Sequence, residues 1–180
     1  RSFTSLILII ILSFGLFYNE YSWQILLIFF SILCCYEFYN LVIKIYKKKF
    51  ISIIILFLFS LYMYLFYFLL TNIRAEFGEV AILILILSCI FSDVGGYVVG
   101  KLIGGPKLTN LSPNKTISGA FGSVIFTVLG TYLFILILNE IEKNQLVTEV
   151  SIKFIFWLIL MSIICQIGDL FISYLKRKAN

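Results

Sequence analysis

The sequence predicts an all-α, polytopic integral membrane protein with about six transmembrane helices. Of the 180 residues, 62% are hydrophobic and 13% are charged, the mean hydropathy is +1.08, and the apolar residues form long continuous runs. A soluble domain of this size could not bury so much apolar surface. A β-barrel would instead show short strands of alternating polarity, so the pattern favours helices that span a bilayer.

Six apolar runs approach the roughly 20 residues that a helix needs to cross the hydrocarbon. The first run follows a basic residue, as a signal peptide does, but no small-residue cleavage site follows it, and we interpret it as a retained span. The predicted spans are residues 3–18, 22–43, 50–71, 79–99, 119–138 and 152–172.

Basic residues are unevenly distributed between the two sets of connecting loops. Eleven of the fourteen Lys and Arg residues lie on one side of the predicted membrane: Arg1, Lys44, Lys47, Lys48, Lys49, Lys101, Lys107, Lys115, Lys176, Arg177 and Lys178. The other side carries Arg74, Lys143 and Lys153. Because Lys and Arg collect in cytoplasmic loops, we expect both ends of the chain to face the cytoplasm.

Three carboxylates, Glu37, Asp93 and Asp169, lie within or against the predicted spans. A carboxylate there costs at least about 2.5–3.5 kcal/mol on insertion scales, so each is a candidate functional residue. Two carboxylates from different spans would bind a hard divalent cation, and Mg²⁺ carried by substrate phosphates is the expected ion. Alternatively, each Asp pairs with a lysine or links two helices, and Glu37 pairs with Lys115 or another loop lysine.

The segment "LSPNKTISGAFG", residues 111–122, interrupts the apolar pattern. Ser112 and the proline after it are expected to stop regular structure, and Thr116 or Ser118 to cap the fifth span. The N-terminus of that helix, together with Lys115, would attract a phosphate group. An ordinary capped loop remains the alternative for these residues alone.

Other motifs are interpreted as structural. Residues 95–101 begin like a phosphate loop, but Leu102 stands where Ser or Thr should bind magnesium, and the stretch continues a membrane helix. Gly96 and Gly100 are instead expected to form a small-xxx-small packing face, and Gly168 to allow close approach beside Asp169. All four cysteines fall inside spans and are expected to be apolar fillers, poorly placed for disulfides. The chain has no histidine, which excludes His-based metal sites and general bases.

Two long segments together resemble a known enzyme family. "SDVGGYVVGKLIGGPKLTNLSPNKTISGAFGS" followed by "QIGDLFISYLKRK" is similar to phosphatidate cytidylyltransferase, the CDP-diacylglycerol synthase of bacteria and organelles. The resemblance covers residues from about 91 to 178, in family order and spacing. It implies an N-terminal membrane region, residues 1–75, and a C-terminal catalytic membrane region, residues 76–180.

The resemblance implies Mg²⁺-dependent transfer of a cytidylyl group from CTP to phosphatidate, giving CDP-diacylglycerol and pyrophosphate. Asp169 matches the family's metal-binding aspartate, Asp93 matches its earlier acidic position, and Lys115 matches its loop lysine. The resemblance thus implies that all three are catalytic and that the two acids hold the metal. The residues implied in substrate binding are Ser112, Asn114, Lys115, Thr116, Ser173, Lys176 and Arg177. The expected location is the bacterial inner membrane, with the active-site loops in the cytoplasm, no nucleic-acid partner, and a homodimer as a possible assembly.

Two departures from the family pattern bear on activity. Ser118 occupies a position where the family usually has Glu, and the family signature continues with further acidic residues beyond Asn180. We therefore expect the chain as given, which opens with Arg1, to be a fragment that is inactive by itself.

Two other functions are compatible with parts of the pattern. A CTP-dependent polyprenol or phytol kinase shares related motifs but would transfer the terminal phosphate. A transporter could use Asp93 and Asp169 as ion sites, but transporters show internal repeats and paired broken helices. This sequence has no repeat and one clear interruption.

Overall fold

The computed structural model describes residues 2–46, 48–109, 112–142 and 151–179. Arg1, Lys47 and Lys143, whose charges entered the predicted orientation, lie outside these residues. Within the described ranges the chain forms five helices and a two-stranded sheet. The elements are α1 (Ser2–Phe17), α2 (Glu20–Ile45), α3 (Lys49–Ile103), β1 (Lys107–Thr109), β2 (Ser112–Thr116), α4 (Ile117–Glu142) and α5 (Ile152–Ala179).

The all-α membrane class is confirmed, but the count of about six helices is too high by one for the described residues. The predicted spans 50–71 and 79–99 lie in one 55-residue helix, α3, which is interrupted by non-helical backbone at Gly78 (φ 79°, ψ −175°). The connector between the two spans contains no proline and includes Arg, Ala and Glu, which favour helix. The helix therefore continues to Gly78, where glycine tolerates the positive φ.

Four described helices, α2 to α5, are long and apolar enough to cross a membrane. At 16 residues, α1 is shorter than the roughly 20 residues of a full span, so its crossing stays a prediction. Many large apolar side chains on these helices are exposed, for example Phe57 at 67% and Ile164 at 60%. Such surfaces are suited to contact with lipid.

The chain divides into two compact units. The first comprises the residues up to Ile82 together with the end of α5 from Lys178, and the second runs from Leu83 to Arg177. The functional division expected at residues 75 and 76 stays a prediction.

In the first unit, α2 begins with a capping box. The backbone N–H of Ser22 donates to Asn19 Oδ1 over 2.6 Å, and the N–H of Asn19 donates to Ser22 Oγ over 3.1 Å. The two residues thereby satisfy donors that a helix start leaves unpaired. Farther along, Phe38 of α2 stacks on Phe59 of α3 with ring centroids 3.8 Å apart.

A buried arginine joins the same capped turn to α3. Arg74 is 7% exposed, its Nη1 donates to the carbonyl of Asn19 over 3.0 Å, and its Nη2 pairs with Glu79 Oε1 over 2.8 Å. Its guanidinium carbon lies 6.0 Å from the ring centroid of Trp23. Each contact favours the charged guanidinium in a buried position.

In the second unit, α3 and α4 approach closely through glycine. A Cβ atom on Gly119 would lie 2.7 Å from the carbonyl oxygen of Gly96, and one on Gly100 would lie 3.0 Å from Thr116 Oγ1. The predicted packing face of Gly96 and Gly100 is therefore confirmed, and it contacts α4 of the same chain. The homodimer stays a prediction.

Hydroxyl groups are prominent among the buried residues of the second unit. The residues are Ser88, Ser92, Ser123, Thr127, Thr131 and Ser162, each at most 5% exposed. Thr127 Oγ1 donates to the carbonyl of Ser123 in its own helix over 2.8 Å, and the Oγ atoms of Ser92 and Ser162 lie 3.0 Å apart. A hydrogen bond between hydroxyls of two helices, like that of Ser92 and Ser162, can link the helices because lipid offers no competing partner.

A β-hairpin connects α3 to α4. β1 pairs with β2 in antiparallel register, with Lys107 opposite Thr116 and Thr109 opposite Ser112. The prediction that Ser112 and the following proline stop regular structure is wrong, because both belong to β2. A two-stranded sheet has only edge strands, and an edge strand tolerates a proline near its start.

Candidate functional site

The second unit contains a cavity of about 300 Å³, and the hairpin and three helices contribute to its lining. The polar residues other than Tyr97 are distributed over the elements as follows: Ser92 and Asp93 from α3, Lys115 and Thr116 from β2, Ser123 from α4, and Gln166 and Asp169 from α5. Residues 76 positions apart in the sequence, Asp93 and Asp169, thereby face one space.

The cavity collects four of the predicted site residues, namely Asp93, Lys115, Thr116 and Asp169. Four others are described but do not line it: Ser112, Ser173, Lys176 and Arg177. The side chain of Asn114 lies outside the described part of the chain. The functional roles assigned to all of these residues stay predictions.

Lys115 and Asp169 form an ion pair between Nζ and Oδ2. Their side chains are 27% and 58% exposed, so solvent weakens the attraction, and the pair contributes little to folding. The alternative in which Asp169 partners a lysine is therefore realised in this conformation. Glu37 is an exposed residue of α2 in the first unit.

Thr116 caps the N-terminus of α4, as predicted. Its Oγ1 accepts from the backbone N–H of Gly119 over 3.1 Å and lies 3.0 Å from Ser118 Oγ, and Ser118 in turn donates to the carbonyl of Gly104. The N–H of Ile117 donates to the carbonyl of Pro106 over 3.1 Å. These two N–H groups at the helix start already have partners, so they are not free to bind the phosphate group expected there. An anionic ligand would be attracted by the positive end of the helix dipole rather than by hydrogen bonds from these two N–H groups.

The donor set limits the kind of metal that the cavity can hold. Among the described residues, no group of three or more His, Cys, Asp or Glu side chains is arranged around a common point. Two carboxylates alone suit a cation that retains waters and takes further oxygen ligands from substrate phosphates, as Mg²⁺ does. They do not suit zinc, which is held in closed sites by three or four protein ligands.

Sequence reasoning missed two polar residues, Ser162 and Gln166, that precede Asp169 on the same helix. Gln166 Nε2 donates to the carbonyl of Ala120 over 3.3 Å and to Ser162 Oγ over 3.4 Å. A signal for this arrangement exists in the sequence, because Ser162, Gln166 and Asp169 recur at positions i, i+4 and i+7. This spacing places them on one face of a helix.

Two cysteines also lie closer together than expected. The Sγ atoms of Cys89 on α3 and Cys165 on α5 are 3.3 Å apart, and both thiols are free. The prediction that the cysteines are poorly placed for disulfides is therefore wrong for this pair. Each cysteine precedes one of the cavity aspartates, Asp93 or Asp169, by four residues.

Gly168 differs from the other glycines near the site. A Cβ atom on Gly168 would meet no atom within 4 Å. The close helix approach expected beside Asp169 is therefore not observed, and α5 is open on this side.

The comparison of sequences assigns the chain to a family. Residues 42–180 match the Cytidylyltransferase family, and this range contains every element of the second unit. The chain belongs to the cytidylyltransferase family. Membership confirms the resemblance found in the two long segments.

Individual members of the cytidylyltransferase family agree with this assignment. The chain is similar to a phosphatidate cytidylyltransferase of Helicobacter pylori, with 35% identity over 115 residues, which is 63% of this chain and 40% of the relative. A Bacillus subtilis relative of the same name is 36% identical over 90 residues, 48% of this chain and 30% of the relative. A Synechocystis relative is 32% identical over 102 residues, 54% of this chain and 31% of the relative. The chain thus spans about 40% or less of the length of these relatives.

Proposed function

We propose that the full-length protein is a CTP:phosphatidate cytidylyltransferase that forms CDP-diacylglycerol and pyrophosphate with Mg²⁺. The proposal is carried by one observation: Asp93, Lys115 and Asp169, from three different elements, line a single cavity in a chain of the cytidylyltransferase family. The names of the relatives supply the lipid acceptor.

The reaction requires positioning and charge neutralisation rather than covalent chemistry from the protein. A phosphate oxygen of phosphatidate attacks the α-phosphorus of CTP, and the bond to the β-phosphate breaks to release pyrophosphate. A bound Mg²⁺ supplies neutralisation of charge on the phosphate oxygens. In this proposal Asp93 and Asp169 hold the ion.

Lys115 has the second role in the proposed site. Its ammonium exchanges the carboxylate of Asp169 for a substrate phosphate, which is a stronger charge partner. The positive end of the α4 dipole favours the same anion. Lys176 and Arg177, on the last turns of α5, would then contact the triphosphate or the lipid phosphate once substrate is bound.

The decisive experiment uses the full-length protein in detergent with Mg²⁺, CTP labelled on the α-phosphate, and phosphatidate or a polyprenol as acceptor. We expect label in a phosphatidate-derived lipid, and loss of this product in Asp169→Asn. Glu76→Gln, which changes an exposed acid of α3 in the same way, should retain activity.

Other outcomes would point to the rival functions. A folded protein that labels neither acceptor would contradict the transferase, and label from γ-labelled CTP on a polyprenol would indicate the kinase. Failure of both assays would leave the transporter.

We also propose that the protein is located in a bacterial inner membrane with the hairpin in the cytoplasm. The excess of basic residues in the hairpin loops and at the end of α5 supports this orientation. A cysteine at Lys107 should react with an impermeant maleimide only from the cytoplasmic side, and one at Glu76 only from the opposite side. The reverse pattern would overturn the orientation.

A further inference from the structure

We propose that Ser92, Ser162 and Gln166 are positioning residues, which hold α3 and α5 at the separation that lets Asp93 and Asp169 share one divalent cation. This inference rests on the metal chemistry of the proposed function, and it names the hydrogen bonds that hold the two metal-binding helices together. None of the three residues needs to touch the cation.

A continuous chain of hydrogen bonds connects the three helices. Gln166 of α5 donates to the carbonyl of Ala120 on α4 over 3.3 Å and to Ser162 Oγ over 3.4 Å. Ser162 Oγ lies 3.0 Å from Ser92 Oγ on α3. A backbone carbonyl can only accept, so the contact with Ala120 fixes which end of the amide of Gln166 faces α4.

The hydrogen-bonded chain adjoins the carboxylates, because Ser92 and Gln166 line the same cavity as Asp93 and Asp169. Ser92 precedes Asp93 in α3, and Gln166 precedes Asp169 by three residues, or about 4.5 Å along a helix axis. Ser92 is 1% exposed and Ser162 is 0% exposed, so neither hydroxyl can exchange its partner for bulk water. Loss of one partner would leave the other unsatisfied in a low-dielectric interior.

The glycine side of α5 is not held by close packing at this level, although the Sγ atoms of Cys89 and Cys165 approach to 3.3 Å nearby. A Cβ on Gly168 would meet no atom within 4 Å, so the helix is open next to Asp169. Two carboxylates that face one cavity also repel each other when both are ionised. The hydrogen-bonded chain opposes that repulsion and keeps both acids available to the cation.

The test measures Mn²⁺ affinity by electron paramagnetic resonance in the full-length protein in detergent, without nucleotide. Ser92→Ala and Ser162→Ala should each weaken Mn²⁺ binding about three- to tenfold, which is the range expected for one interhelical hydrogen bond. The double variant should bind Mn²⁺ no more weakly than Ser162→Ala, because Ser162→Ala alone already removes both the bond to Ser92 and the bond from Gln166. With CTP and phosphatidate, the Mg²⁺ concentration at half-maximal rate should rise more than the maximal rate falls.

Ser88→Ala is the matched control. Ser88 lies one turn before Ser92 on α3 and is equally buried at 1%, but its hydroxyl donates to the carbonyl of Leu85 within the same helix. Its Mn²⁺ affinity should equal that of the wild type. Gln166→Leu, at a half-buried position, gives an independent variant if either serine variant fails to fold, and it too should bind Mn²⁺ more weakly.

The outcomes separate this inference from the proposed function. Unchanged Mn²⁺ affinity in the serine variants, additive losses in the double variant, or an equal loss in Ser88→Ala would overturn the positioning role. Absence of Mn²⁺ binding by the wild type would overturn it as well. If the wild type binds Mn²⁺ and the variants weaken it but no lipid is labelled from CTP, the transferase fails while the positioning role stands.

Discussion

Lys115 Nζ forms an ion pair with Asp169 Oδ2, which joins β2 of the hairpin to α5 at the cavity. The two side chains are only partly buried, so the pair can open without a large cost. A cation that binds Asp169 must displace the ammonium or share the carboxylate with it. In the proposed site, Lys115 would therefore compete with the metal until a phosphate group accepts its charge.

The first prediction follows from this competition. Lys115→Ala should raise Mn²⁺ affinity in the absence of nucleotide by about 1.4- to fivefold, since an exposed pair contributes about 0.2–1 kcal/mol. The same change should lower the transfer rate by about a hundredfold or more, because a charged donor to the reacting phosphates is lost. Electron paramagnetic resonance and the labelled-CTP assay measure the two effects in the full-length protein.

Lys107→Ala provides the control, because Lys107 is an exposed residue of β1 outside the cavity lining. It should change neither quantity. Weaker Mn²⁺ binding in Lys115→Ala would contradict competition between the lysine and the cation.

The second prediction concerns the cysteine pair. Because the Sγ atoms of Cys89 and Cys165 are 3.3 Å apart, a small rotation brings them to bonding distance. With copper phenanthroline as the oxidant, the two thiols should lose two protons and two electrons and form a disulfide between α3 and α5. Mass spectrometry of the peptides would identify the bond, and Cys89→Ser should abolish it. Efficient oxidation that never links these peptides would contradict the packing of the two helices.

The hydrophobic pattern was sufficient to predict the long helices but not the exact residue at which α3 breaks. Continuous apolar runs predicted each long helix, since a span must satisfy its own backbone hydrogen bonds. The connector between the predicted spans, residues 72–78, contains the observed break, which lies at its last residue, Gly78. Polar residues such as Arg74 and Glu79 remain compatible with helix, and only the dihedral angles of one glycine locate the break.

The charged residues of the site were predictable from the sequence, but the hydrogen-bonded serines that link the helices carrying the two acids were not. Asp93 and Asp169 stand out because charges are rare in spans, and Lys115 stands out in the polar segment before the fifth span. Ser92 and Ser162 do not, because hydroxyls occur throughout membrane helices, and their role depends on which residue faces them across 70 positions of sequence. The hairpin was missed for a similar reason, since its strands are too short for alternation to show.

The third prediction concerns Arg74 in the first unit. Its guanidinium bonds both the carbonyl of Asn19 and the carboxylate of Glu79, so Arg74→Ala removes both bonds and the contact with Trp23. We expect a loss of about 2–4 kcal/mol, as for breaking a buried charge network. Arg74→Lys should recover part of it, because an ammonium cannot reproduce the two-pronged geometry. Denaturation in mixed detergent micelles measures the difference.

A conservative change elsewhere serves as the reference for this measurement. Glu76→Gln alters an exposed residue of the same helix and should change the free energy of unfolding by less than about 0.5 kcal/mol. Equal stability of Arg74→Ala and the wild type would contradict the assigned network.

The fourth prediction uses two glycines with opposite surroundings. In Gly119→Ala, the new methyl group would lie 2.7 Å from the carbonyl oxygen of Gly96, so α3 and α4 must separate. We expect a loss of about 1–3 kcal/mol, as for overpacking elsewhere. In Gly168→Ala, the methyl group would meet no atom within 4 Å and alanine favours helix, so stability should rise by up to about 1 kcal/mol. Both changes add one methyl group to a helix and so gain similar helix propensity. Opposite signs of the change in unfolding free energy would therefore show that helix packing causes the loss in Gly119→Ala. A Gly119→Ala variant as stable as the wild type would show that α4 does not approach α3 through this glycine.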